Sequence, residues 1–193
     1  MAEQSVSEHL VSEAPPDLAR TVLAAARLDL AAYRSIALGR RYWPAALLIV
    51  SLSAVSHAAL GVAWATAGGW APIRSIVPAA LSQFVVWLGL SVVAYAVGRV
   101  LGSPGSLEGV LRAVGVAILP TVIYVAGVVP PLLFVMGAWW IGTTYVALRA
   151  ALGLPLGPSI VVTALGVVVG YLLAGLTTVT VLDWLAALGY PGT

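Results

Sequence analysis

The chain contains no cysteine and no lysine. The first absence excludes disulfides, thiolate metal sites and thiol nucleophiles. The second, beside nine arginines and a remainder rich in alanine, leucine, valine and glycine, is the composition of a GC-rich, prokaryotic genome. Charge of either sign is scarce, at 8% of 193 residues, where ordinary soluble domains carry about a quarter. A surface so poor in charge cannot face water. With 61% hydrophobic residues and a mean hydropathy of +1.05, lipid must solvate it. The net charge of +2 is small and scattered, which excludes a nucleic-acid surface.

The sets that carry chemistry are missing too. Only His9 and His57 are present; they do not form a His-Glu-x-x-His metal motif, and the intramembrane pair a bis-histidine haem needs is absent. No phosphate-cradling loop occurs, and Glu108 and Asp183 fall at opposite faces of the topology read below. The expectation is a protein without catalysis, cofactor or metal. Glu3, Glu8 and Glu13 stand where a secretory leader would turn basic and then apolar, so no leader is expected.

What remains is long apolar stretches punctuated by charge. Arg41 and Arg74 enclose one crossing, near 44–66 with Pro44 in its first turn. Arg74 and Arg99 enclose a second, near 76–97, after a glycine-rich turn over 68–72. Arg112 and Arg149 bracket a longer stretch with Val129-Pro130-Pro131 near its middle, which reads as a hairpin of helices near 107–128 and 131–151. Loops follow from Gly102-Ser103-Pro104-Gly105-Ser106 and from Gly153-Leu154-Pro155, and a fifth span runs near 159–182. An N-terminus inside places eight arginines inside and Arg74 alone outside, as the positive-inside rule asks. Tyr42 and Trp43 then mark the inner boundary, with Trp64, Trp70 and Trp184 at the outer one.

Ahead of the spans, residues 1–16 are polar and read as a disordered tail. From Asp17, a good N-cap, one amphipathic helix is expected over 17–41. It sets Val22, Leu23, Ala26, Leu30, Tyr33 and Ala37 on one face, and Arg20, Arg27, Arg34 and Arg41 on another. Such a helix either lies on the anionic inner leaflet or packs under the bundle with a solvated arginine edge. The fold class is therefore all-α: a bundle of five transmembrane helices over 42–193, preceded by a cytoplasmic amphipathic helix.

His57 is the one ionisable group near the bilayer midplane, and such a residue is a functional candidate by default. Ser53 and Gly61, four residues either side, put it on a small-residue face. The plainer expectation is a neutral histidine packed as interhelical glue, because no second ionisable group shares its depth; ligand, pigment or proton binding is the alternative. Small residues also recur every four positions at Ala94, Gly98 and Gly102, and at Gly166, Gly170, Ala174 and Thr178. They serve packing within the chain, or else self-association. Pro120 should kink the third span and free the Val116 carbonyl for a donor from Tyr171, Thr143, Thr144 or His57. That choice groups spans one, three, four and five and leaves the second peripheral.

One region has a family look. Gly102-Ser103-Pro104-Gly105-Ser106-Leu107 leads to Leu111-Arg112-Ala113-Val114-Gly115 and Ala117-Ile118-Leu119-Pro120. The Val129-Pro130-Pro131 turn follows, then Ala138-Trp139-Trp140 and Val146-Ala147-Leu148-Arg149. Over roughly residues 28–180 the chain resembles the Yip1-domain family. The resemblance implies five spans with a cytoplasmic N-terminus, and structural roles for Gly115, Pro120, Trp139 and Arg149. The expected function is a membrane-organising adaptor or an accessory subunit of a larger complex in the cell membrane, partnered by lipids and by other membrane proteins or itself. A small transporter with a path near Pro120 and His57, or a subunit binding a cofactor through His57, are the alternatives.

Overall fold

The computed structural model describes residues 17–67, 73–128 and 130–188. The expected tail over 1–16, the turn over 68–72 and Val129 of the hairpin lie outside them. Short polar side chains set the first helix starts by taking orphan backbone N–H groups. The Asp17 carboxylate accepts from the Ala19 N–H at 3.2 Å and opens α1, Leu18–Ala26. The expected single helix over 17–41 is corrected here, because it is two. Leu28 turns left-handed at φ 67°, a conformation rare for a residue with a side chain. Asp29 then caps a new start, accepting from Ala31 and Ala32 N–H at 2.8 and 3.3 Å. A short carboxylate serves better as a cap than inside a helix. The resulting α2, Leu30–Leu38, buries Ala32, Tyr33, Ile36 and Ala37 against the bundle. Leu23, placed on the apolar face of a continuous helix, is instead 58% exposed.

Among the described residues, five helical stretches are long and apolar enough to cross a membrane. After a 3-10 turn at Arg40–Tyr42 come α3 (Trp43–Ala67), α4 (Ile73–Val100) and α5 (Leu107–Ala117). Beyond α5 the chain continues as a 3-10 segment, Leu119–Val128, then α6 (Pro130–Leu152) and α7 (Leu156–Ala187). Their outward faces are apolar: Phe134 is 80% exposed and Leu176 65%, as lipid-facing positions should be.

The second span is central, against expectation. α4 makes its broadest contact with α7, where the stripe of small residues sits. A Cβ at Gly166 or Gly170 would lie 3.4 Å from Leu90 of α4, and Ala174 is buried. In lipid, helices gain by backbone approach rather than by hiding apolar surface, so the stripe selects the neighbour. The stripe is thus engaged within the chain.

Pro120 acts differently from a kink. The α geometry ends at Ala117, and Thr121 N–H bonds the Ile118 carbonyl at 2.8 Å, an i−3 bond. In that tighter winding the missing N–H of Pro120 orphans the carbonyl three residues back, Ala117, rather than Val116. One of the expected donors supplies the bond: Thr143 Oγ1 of α6 lies 2.8 Å from the Ala117 carbonyl. The same hydroxyl lies 2.9 Å from the Trp140 carbonyl in its own helix, so its proton is shared.

Candidate functional site

His57 takes its place through its own helical turn. Thr121 Oγ1 donates to the Ile118 carbonyl at 2.8 Å, so its oxygen is left to accept from Ser53 Oγ across the α3 interface. The Ser53 carbonyl lies 2.9 Å from His57 Nδ1. A carbonyl only accepts, so Nδ1 carries the ring proton and Nε2 is the acceptor of the neutral imidazole. The ring packs on Tyr124 of the 3-10 segment, centroids 4.7 Å apart and tilted 49°. Thr143, Thr144 and Tyr171, the other donors expected near Pro120, do not hydrogen-bond the ring among the described residues. Thr143 serves Ala117, Thr144 Oγ1 is buried without a hydrogen-bond partner among the described residues, and Tyr171 stands edge-on to Trp140 at 5.7 Å.

All five spans meet at a cavity of about 260 Å³ beside this ring. α3 contributes His57, and α4 contributes Ser82, Gln83 and Val86. The 3-10 segment adds Thr121 and Tyr124, and α6 adds Trp140. Tyr171, Ala174, Gly175 and Thr178 of α7 close it. Ser82 and Thr178 turn their hydroxyl protons back onto their own helix, at the Ala79 and Ala174 carbonyls. Gln83 is different: it is 5% exposed, and no hydrogen bond engages its amide among the described residues. No arginine, aspartate or glutamate among the described residues lines the cavity. Among the described residues no group of three His, Asp or Glu could hold a metal ion. Sequence reasoning singled out His57 here but missed Gln83, whose signal was the one side-chain amide in any expected span.

The other expected residues are scattered through the packing. Gly115 sits where α3, α4 and α5 cross: a Cβ there would fall 2.9 Å from the Ala46 Cβ and 3.3 Å from Trp87 Nε1. Trp87 Nε1 in turn donates to the Leu111 carbonyl at 2.9 Å. Trp139 Nε1 donates to the Ala26 carbonyl at 2.9 Å, closing the C-terminus of α1 onto α6. Arg149 is half-buried, and no hydrogen bond or ion pair engages its guanidinium among the described residues.

Arg112, which brackets the hairpin in sequence, is a buried anchor in the fold. It is 3% exposed, and it donates to the Ile36 and Ala37 carbonyls at 3.3 and 2.6 Å, the last turn of α2. Its guanidinium also lies 5.5 Å from the Trp43 ring and 3.5 Å from Glu108. Gly109 makes room for that approach, since a Cβ there would meet the Ala37 carbonyl at 2.9 Å. Nearby, burial pushes the Tyr33 phenol above its ordinary range; its hydroxyl faces Thr143 off hydrogen-bond geometry.

Five apolar spans, an exterior of exposed leucine, valine and phenylalanine and a buried polar centre define a multi-pass, all-α integral membrane protein. The chain matches the Yip1 domain over residues 11–178, and it belongs to the Yip1 domain family. That family is generally one of non-enzymatic membrane proteins. No curated protein and no solved structure matches the chain.

Proposed function

We propose that the protein is a non-enzymatic adaptor or accessory subunit of a larger assembly in the cell membrane, with its N-terminus in the cytoplasm and its C-terminus outside. The observation that carries this reading is the α1–α2 unit. It is held against α5 and α6 by Arg112 and Trp139, yet it keeps Arg20, Arg27 and Arg34 exposed, with Arg40 and Arg41 beside them. A helix pair already ordered loses little conformational freedom when a partner docks. Its basic edge suits anionic lipid head groups and an acidic face on a neighbouring membrane protein. The stripe of small residues on α7, which could have served a second copy, is occupied by α4.

The test is purification from native membranes in mild detergent, with mass spectrometry of what accompanies the wild-type chain and the variant Arg20→Glu/Arg27→Glu/Arg34→Glu. A protein present at fixed ratio with the wild type and lost from the variant is the expected result. A wild-type chain that purifies alone after cross-linking in the membrane defeats the proposal.

A further inference from the structure

The cavity where the five spans meet has walls of a particular kind, and its contents must answer to them. Taking a charge out of water is costly unless a counter-charge meets it, and among the described residues no arginine, aspartate or glutamate faces the space. Phosphate head groups, carboxylates and metal cations are therefore poor occupants. An alkane is a poor occupant too. His57 presents Nε2 as an acceptor, because Nδ1 gives its proton to the Ser53 carbonyl. Gln83, 5% exposed and lining the same space, brings an amide with two donors and an acceptor that no protein group engages among the described residues. A buried amide left unpaired costs stability, so something in the cavity must bond it.

The remaining wall is aromatic. Tyr124 leans on His57, and Trp140 and Tyr171 meet edge to face. Tyr171 is 52% exposed, so its side of the cavity faces out of the bundle towards lipid. At about 260 Å³ the space lies below the roughly 300–1,000 Å³ of drug-sized sites. It takes a small head group whose tail leaves on the lipid side.

We propose that this cavity binds the head group of an uncharged, lipid-soluble amphiphile bearing a hydroxyl group and a second oxygen able to accept a hydrogen bond. Its hydroxyl donates to His57 Nε2, and its second oxygen accepts from the Gln83 amide. Membrane quinols and diacylglycerols share this chemistry. The flat aromatic walls suit either the ring of the first or the ester plane of the second.

Gly175 supplies a clean way to fill the site, because a Cβ added there meets nothing within 4 Å. The experiment uses the full chain purified in a mild neutral detergent. Decylubiquinol, dioctanoylglycerol and dioctanoyl-phosphatidylglycerol are titrated separately, and thermal unfolding and tryptophan fluorescence are read. One of the two neutral probes should raise the unfolding temperature saturably and change the fluorescence, and which of them does so names the source. The charged probe should do neither. Gln83→Leu should weaken the neutral probe at least tenfold, and Gly175→Leu should abolish its effect while unfolding no earlier than the wild type. His57→Phe should behave as Gln83→Leu does, and where it fails to fold the other two variants decide. Absence of a saturable shift with either neutral probe overturns the proposal, as does equal binding of the charged one. Unchanged affinity in both Gln83→Leu and Gly175→Leu also overturns it, since binding would then lie elsewhere.

Discussion

Replacing Arg112 with methionine tests how the α1–α2 unit is held, because methionine keeps most of the apolar stem and removes only the guanidinium. Two hydrogen bonds from a charged donor to the Ile36 and Ala37 carbonyls are lost, each worth about 1.5–3 kcal/mol. The contact with the Trp43 ring at 5.5 Å adds about 0.5–2 kcal/mol. The pair with Glu108 adds little, since that carboxylate side chain is 59% exposed and such pairs contribute about 0.5 kcal/mol at most. Against these stands the desolvation of a buried cation, several kcal/mol, which the variant no longer bears. The balance is a loss of about 3 kcal/mol in the docking of α2, or roughly a hundredfold faster opening at 1.36 kcal/mol per factor of ten. Hydrogen exchange of the α2 amides in detergent reads this directly. Arg149→Met is the comparison, because nothing described engages that side chain; it should change exchange by less than about threefold. Exchange in Arg112→Met within about threefold of wild type would refute the anchoring role. Equal acceleration throughout α3 to α7 would refute the claim that docking is a local step.

Three further outcomes follow from particular contacts. Gly105→Ala should destabilise the fold by about 2 kcal/mol in thermal unfolding, because its Cβ runs into the Ala151 carbonyl; Gly157→Ala, where a Cβ meets nothing within 4 Å, should be neutral or slightly stabilising. Thr143→Val should cost about 1–2 kcal/mol in the same assay by stripping the Ala117 carbonyl of its donor, and an unchanged unfolding temperature would show that the carbonyl finds another partner. The natural absence of cysteine makes topology mapping direct. Single cysteines at positions 5, 69 and 192 should react with an impermeant thiol reagent on intact cells only at the last two, and labelling at position 5 reverses the orientation.

Span number was legible because charge in lipid is expensive, so arginines punctuate the apolar stretches, and Arg112, inside α5, is accepted there by the Ile36 and Ala37 carbonyls. The N-terminal break was legible in principle, since Asp29 is as good a cap as Asp17, but the regular recurrence of arginine every seven residues masked it. Periodicity reports a surface and is blind to one left-handed residue at Leu28. At Pro120 the missing hydrogen bond was readable while the winding was not, because which carbonyl is orphaned depends on an i−3 or i−4 register that only packing decides. The cavity was half visible. His57 stood out as ionisable, whereas Gln83 and Tyr171 gain meaning only when α4 and α7 are brought together by Gly166 and Gly170.

The winding of the third span also fixes its reach. Ten residues from Leu119 to Val128 cover about 20 Å in 3-10 geometry and would cover about 15 Å in α geometry. Rewinding would draw the Val128 end of the segment towards Leu119 by about 5 Å. It would also swing Tyr124 by about 60° relative to Thr121, since three residues make a full turn in one winding and five-sixths of a turn in the other. Tyr124 would leave the His57 ring while Thr121 kept hold of Ser53. Thr143 caps the carbonyl that is bare only in the 3-10 register. That single hydroxyl therefore acts as a latch on the gearing of the span, holding the longer setting in which the aromatic wall stands against His57.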